Sequence, residues 1–175
     1  MYFSQLAVLS LAGLALASPV AKRTAATIEA DIATVSSDLT TFDNDINKFT
    51  GTALQALALL SAYETLNTAV TTTTTAVTST GALDAADSAT IYADVSSLSA
   101  KVVTTLSDAV AKYSVVESAG YASDVCSALS SLLTSTDAFY KALEGTIYST
   151  YTSEVTALQS TVDADFATTI STYGC

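Results

Sequence analysis

Histidine and tryptophan are absent from the 175 residues, proline occurs once and cysteine twice. Bases are scarce too: six Lys and Arg stand against 17 Asp and Glu, a net charge of −11. Each shortage removes a class of function. Without an imidazole there is no Ser-His-Asp or Cys-His nucleophile. Two Cys cannot supply the roughly four His/Cys ligands of a zinc site. An acidic chain lacks the basic face that displaces counterions from phosphates, so nucleic acid is not expected as a partner. No Gly-rich loop suited to a phosphate is present. Asp43, Asp45 and Asn47 alternate as in a calcium loop, but Lys48 stands where the loop needs Gly and Leu54 where it needs Glu. These three read as a solvated helix face. Paired carboxylates could serve a glycosidase, but no spacing singles out a pair. The expectation is a non-catalytic protein without cofactor or metal.

What is abundant is apolar: 50% of residues are hydrophobic and 13% charged, against roughly 25% charged in an average soluble domain. Residues 3–17 form an apolar stretch too short to span a bilayer. It ends in Ala15-Leu16-Ala17, the small-x-small pattern of signal peptidase sites, so residues 1–17 read as a secretion signal. No basic residue precedes the stretch, a departure from the usual pattern. Lys22-Arg23 follows as a dibasic processing site, making residues 18–23 a propeptide and 24–175 one mature domain. The mature chain keeps four Lys and all 17 acids, a net of −13. No second apolar span and no apolar C-terminal tail follow, so the product is expected outside the cell and not membrane-spanning. Cys126 and Cys175 are an even pair on an oxidising route and are expected to form one disulfide.

Apolar residues recur with helical spacing almost throughout. Ile28, Ile32, Val35, Leu39, Phe42, Ile46 and Phe49 alternate steps of four and three, ending before Gly51. A second stripe includes Leu57, Leu60, Leu66, Val70 and Val77, interrupted by Thr71 to Thr75. Propensity alone would make these threonines a strand, but the apolar period continues across them. Asp84 reads as an N-cap for a third stripe, Ile91 to Tyr113, closed by Gly120. A fourth runs from Val125 to Leu143 and a fifth from Tyr151 to Ile170. About five amphipathic helices with short Gly-containing turns predict an all-α antiparallel bundle.

The exterior is unusual. About a third of the mature residues are Ser or Thr. Asn44, Asn47 and Asn67 all fail the N-glycosylation sequon, so any sugar would be O-linked. Tyr140, Tyr148, Tyr151 and Tyr173 gather toward the C-terminus and read as core-rim packing.

The run KRTAATIEADIATVSSDLTTFDNDINKFTG, then LNTAVTTTTTAVTSTGALDAADSATIYADVSSLSAKV, the segment around Cys126, and STDAFYKALEG carry a resemblance. They are similar to the hydrophobic surface-binding protein A family of filamentous fungi, also known as cell-wall galactomannoproteins. The likeness covers essentially the whole mature chain and includes no catalytic motif. It implies a secreted, wall-associated protein that adsorbs to hydrophobic solids and recruits a secreted polyester hydrolase. It also implies the alternative of fatty acids held inside the bundle. Candidate walls for such a site are Leu60, Leu66, Val95, Leu98, Val102, Leu106, Leu132, Phe139, Leu158 and Val162, the middles of the second to fifth helices. With no Arg or His and few Lys, a head group would meet Ser, Thr or Tyr hydroxyls, and an acid and its ester should bind alike.

Overall fold

A computed structural model describes residues 24–175. The signal, the propeptide, Ala17, Lys22 and Arg23 lie outside the described residues. Five long helices and one short one follow: α1 (Ala25–Lys48), α2 (Ala53–Thr80), α3 (Ala85–Ala111), α4 (Tyr113–Ala119), α5 (Ala122–Glu144) and α6 (Thr152–Tyr173). A single 3-10 turn, Ser149–Tyr151, precedes α6. There is no strand among the described residues.

Local chemistry explains the boundaries. Asp84 caps α3 as expected, its Oδ1 accepting from the backbone N–H groups of Ala86 and Asp87 at 2.9 Å each. Thr52 and Gln55 form a capping box at the start of α2. Gln55 Oε1 also accepts from Thr50 N at 3.0 Å, and its amide donates to Lys48 O at 3.0 Å, knotting the α1–α2 turn. Gly51 makes that turn possible at φ 96°, and a Cβ there would stand 3.4 Å from the Ala119 side chain.

The Thr71–Thr75 run stays helical. Thr71, Thr73, Thr74 and Thr75 each donate their hydroxyl to the carbonyl four residues back, at 2.8–3.0 Å. Thr73 and Val77 are buried, so packing outweighs weak propensity. The third stripe differs from expectation. Its helix breaks at Lys112, whose N–H is shared between the Asp108 and Ala109 carbonyls at 3.1 Å. The remainder becomes α4, which packs against α3 and α5.

Consecutive long helices alternate in direction, but the packing order is not the chain order. The neighbours are α1 with α2, α2 with α5, α5 with α6, α6 with α3, and α3 with α1. The five long helices therefore close into a ring. Non-consecutive neighbours run parallel, as their cross-links show: Ser135 Oγ donates to Asn67 Oδ1 at 2.7 Å between α5 and α2, and Lys101 Nζ to Ser36 Oγ at 2.7 Å between α3 and α1.

The two ends of the ring are built differently. Ile28, Val77, Ile91, Val95, Leu143, Val155 and Val162 have no exposed surface. All belong to one end or the adjoining middle, where α1, α3 and α6 begin and α2 and α5 finish. The loops there are tied together, with Leu83 N donating to Thr146 O and Tyr148 N to the buried Ser88 Oγ, both at 2.9 Å. That end is a filled core. At the other end α4 passes beneath the ring, and the Cys126–Cys175 disulfide joins the start of α5 to the end of α6 with Cα atoms 5.5 Å apart.

Candidate functional site

Five helices in a ring do not readily fill their own centre along its whole length. Axes about 10 Å apart place each axis about 8.5 Å from the middle, and side chains reaching about 5–6 Å leave a bore about 6 Å wide. Where large side chains converge, as at Ile91 and Leu143, the bore is filled. Below them it remains open as a cavity of about 610 Å³. Close-packed interiors rarely hold voids larger than a water molecule, so a cavity of this size is a candidate site.

Leu60, Leu66, Leu98, Val102, Leu106, Leu132 and Phe139 line it. Val95, Leu158 and Val162 do not. Val95 and Val162 sit in the filled half, and Leu158 packs partly buried against the core. The wall unforeseen by sequence reasoning is α1. Its stripe faces the void through Ile32, Val35, Leu39, Phe42, Ile46 and Phe49, while α6 contributes Phe166 and Tyr173. Regularity of the α1 stripe was the available signal, but a regular stripe reads equally well as core.

The cavity opens sideways between α2 and α5. Leu57 and Leu60 line it yet are 63% and 50% exposed, and facing them Asp124, Ser127 and Ser131 of α5 are exposed lining residues. Beyond the mouth the Ser135–Asn67 bond closes the seam. The segment before Leu66 contributes no buried residue to α2, and Leu54 beside the mouth is 79% exposed.

Polar groups in the walls are mostly satisfied. Ser99, just behind the lining, donates to Val95 O at 2.7 Å and accepts from the wall residue Tyr140 at 2.6 Å. Burial pushes the Tyr140 hydroxyl up. Tyr173 donates to Ala109 O at 2.8 Å and meets Tyr113 edge-on at 5.3 Å. Burial, then the neighbouring Tyr113, pushes Tyr173 up to about 12. Both phenols stay protonated at neutral pH and are donors, not bases. The expectation of walls without charge needs correction: Lys112 and Asp124 both line the cavity. Lys112 Nζ donates to Asn47 O at 2.7 Å and Phe49 O at 3.3 Å, at the end of α1.

Asp43 and Asn47 are not simply a solvated face. Asn47 Nδ2 donates to Asp108 at 2.8 Å and to Asp43 at 3.3 Å, bringing two carboxylates together between α1 and α3. Asp163 meets Asp137 between α5 and α6, where Gln159 donates to Asp137 at 3.0 Å. No group of three or more His, Cys, Asp or Glu suited to a metal ion exists among the described residues. Burial raises the Asp43 and Asp163 pKa values first, and the neighbouring carboxylate adds to it. A folded pKa above the unfolded one, about 3.9 for Asp, gives stability that is complete below that value. It is lost as pH rises through the folded pKa. Thermal melts are therefore expected to shift upward as the pH is lowered from 7 toward 4. Asp163→Asn should raise the pH 7 melting temperature and flatten the profile; a melting temperature that falls steadily from pH 7 toward 4 contradicts this.

The hydrophobic surface binding protein A family matches residues 25–145. The chain belongs to that family. The solved structure of AfMP4p in complex with palmitic acid is 35% identical, with a TM-score of 0.84 over 86% of this chain and 99% of that one. Ligand binding domain 1 of Penicillium marneffei MP1 protein, complexed with arachidonic acids, superposes with a TM-score of 0.80 at 14% identity over 86% of this chain and 99% of that one. Its domain 2, complexed with multiple arachidonic acids, gives 0.81 at 16% identity over 87% and 97%. These last two show a shared fold. No curated protein sequence matches significantly. Among the described residues no helix is long and apolar enough to cross a membrane.

Proposed function

We propose that the protein is a secreted, non-catalytic fatty-acid carrier of the fungal surface that takes its ligand into the cavity between α2 and α5. The observation that carries this is an apolar void of about 610 Å³ with a side mouth. Burying a sixteen-carbon chain gains on the order of 12 kcal/mol at about 0.8 per methylene. Association and ordering cost at least about 4 kcal/mol, which leaves up to about 8 kcal/mol, enough for binding in the micromolar range. The palmitate complex of the 35% identical relative supports the ligand class. Protein purified without detergent should release fatty acid near one equivalent when extracted with organic solvent and read by mass spectrometry. No lipid above background, together with no fatty-acid binding at tens of micromolar, refutes the reading.

A second reading rests on a different feature. Leu54, Leu57 and Leu60 are exposed on a stretch, residues 49–63, that contains no charged side chain. This apolar face supports adsorption to hydrophobic solids, where the docked protein would recruit a secreted polyester hydrolase. Apolar burial is not screened by salt and is strengthened by sulfate. Binding to an alkyl surface is expected to persist in 1 M sodium chloride. Replacing all three leucines with Ser should reduce it severalfold. Elution by moderate salt would mean that charge carries the adsorption.

A further inference from the structure

We propose that Lys112 anchors the carboxylate of a free fatty acid, so that the cavity selects acids over their esters; this rests on the carrier reading above. Lys112 is the one cation among the described lining residues. Its ammonium is held by two neutral acceptors, Asn47 O at 2.7 Å and Phe49 O at 3.3 Å. The carbonyls at this helix end offset only part of its charge, and an ammonium has three protons to donate. Lys112 forms no ion pair among the described residues. The two carbonyls belong to the C-terminal end of α1 and fix the long side chain, so little rotamer freedom remains to be lost when an anion arrives.

Position supports the same role. Lys112 stands at the α3–α4 break, at the end of the cavity that also holds Tyr121, Asp124 and Ser127. From there the walls become apolar, through Leu106, Val102 and Leu98 along α3. The 14 residues from Lys112 to Leu98 span about 21 Å at about 1.5 Å each. An extended sixteen-carbon zigzag with bonds of about 1.5 Å is about 20 Å long. The tail thus reaches the filled core when the head is at Lys112. Asp124, at the same end, is exposed, where solvent screens its charge. A methyl ester offers no charge to the ammonium.

The test uses delipidated protein and displacement of an uncharged alkyl fluorophore by palmitic acid and by methyl palmitate. Wild type is expected to bind the acid about tenfold or more tightly than the ester, the scale of a charge-assisted bond. Lys112→Met should lower acid affinity to that of the ester and leave the ester unchanged. Lys112→Arg should keep the preference. Equal binding of acid and ester by wild type overturns the proposal without touching the carrier reading, and this comparison needs no variant to fold. So does a Lys112→Met protein that loses acid and ester alike, which would mark Lys112 as a support for the end of α1. If neither ligand binds wild type, the carrier reading falls and the anchor with it.

Discussion

Leu98→Trp is expected to weaken fatty-acid binding about a hundredfold while the helical fold and melting temperature are retained or improved. Leu98 is a buried wall of the cavity, not a member of the filled half. Enlarging a side chain in a close-packed core costs about 1–3 kcal/mol. Here the larger ring enters empty space and gains contacts that the void withholds. The ligand loses the same space. Excluding four methylenes removes about 3 kcal/mol at about 0.8 each, roughly two orders of magnitude in affinity. Leu132→Trp, on α5, should act in the same direction, and the two together should abolish binding. Displacement titration reads the first effect and circular dichroism melts read the second. A melting temperature lowered by many degrees, or an affinity left unchanged, means the void is not where the chain lies.

The Cys126→Ser/Cys175→Ser double variant is expected to lose about 4 kcal/mol of stability. The bridge closes a loop of 49 residues, and the loop-entropy relation gives about 4 kcal/mol for that length. For a domain of this size each kcal/mol shifts the melting temperature by about 2–4 °C, so a fall of about 8–16 °C follows. The effect should reach the cavity floor. The bridge holds the end of α6, and with it Tyr173, which donates to Ala109 O and packs on Tyr113. Thermal melts of oxidised protein and variant measure the difference. A fall of less than about 3 °C would show that packing alone holds the last turn of α6.

How much of this was legible depends on what each signal reports. The α1 stripe from Ile28 to Phe49 and the Asp84 cap could be read because each is decided within a few turns of chain, whereas the Thr71–Thr75 helix could be read only from the apolar period continuing across it, since burial of Thr73 and Val77 holds it. The walls were legible only in part. Val95 and Val162 carry the same spacing as Leu98 and Leu106, yet they lie in the filled half. Periodicity says which side of a helix faces inward, not whether anything meets it there. Lys112 gave no local signal, since its role comes from carbonyls more than sixty residues earlier in the chain.

By itself the sequence determined that the protein is all-helical, acidic, bridged by its single cysteine pair and without the residues for His- or zinc-based chemistry. These follow from composition and from spacing within single helices, where each residue's neighbours are set by the 3.6-residue turn. Only the tertiary structure decided that the ring runs α1, α2, α5, α6, α3, that α1 forms a wall, and that the lower half is hollow. A void belongs to five stripes at once. It exists because five helices in a ring stand too far from their centre for Leu, Val and Phe side chains to meet everywhere, and no single stripe carries that distance.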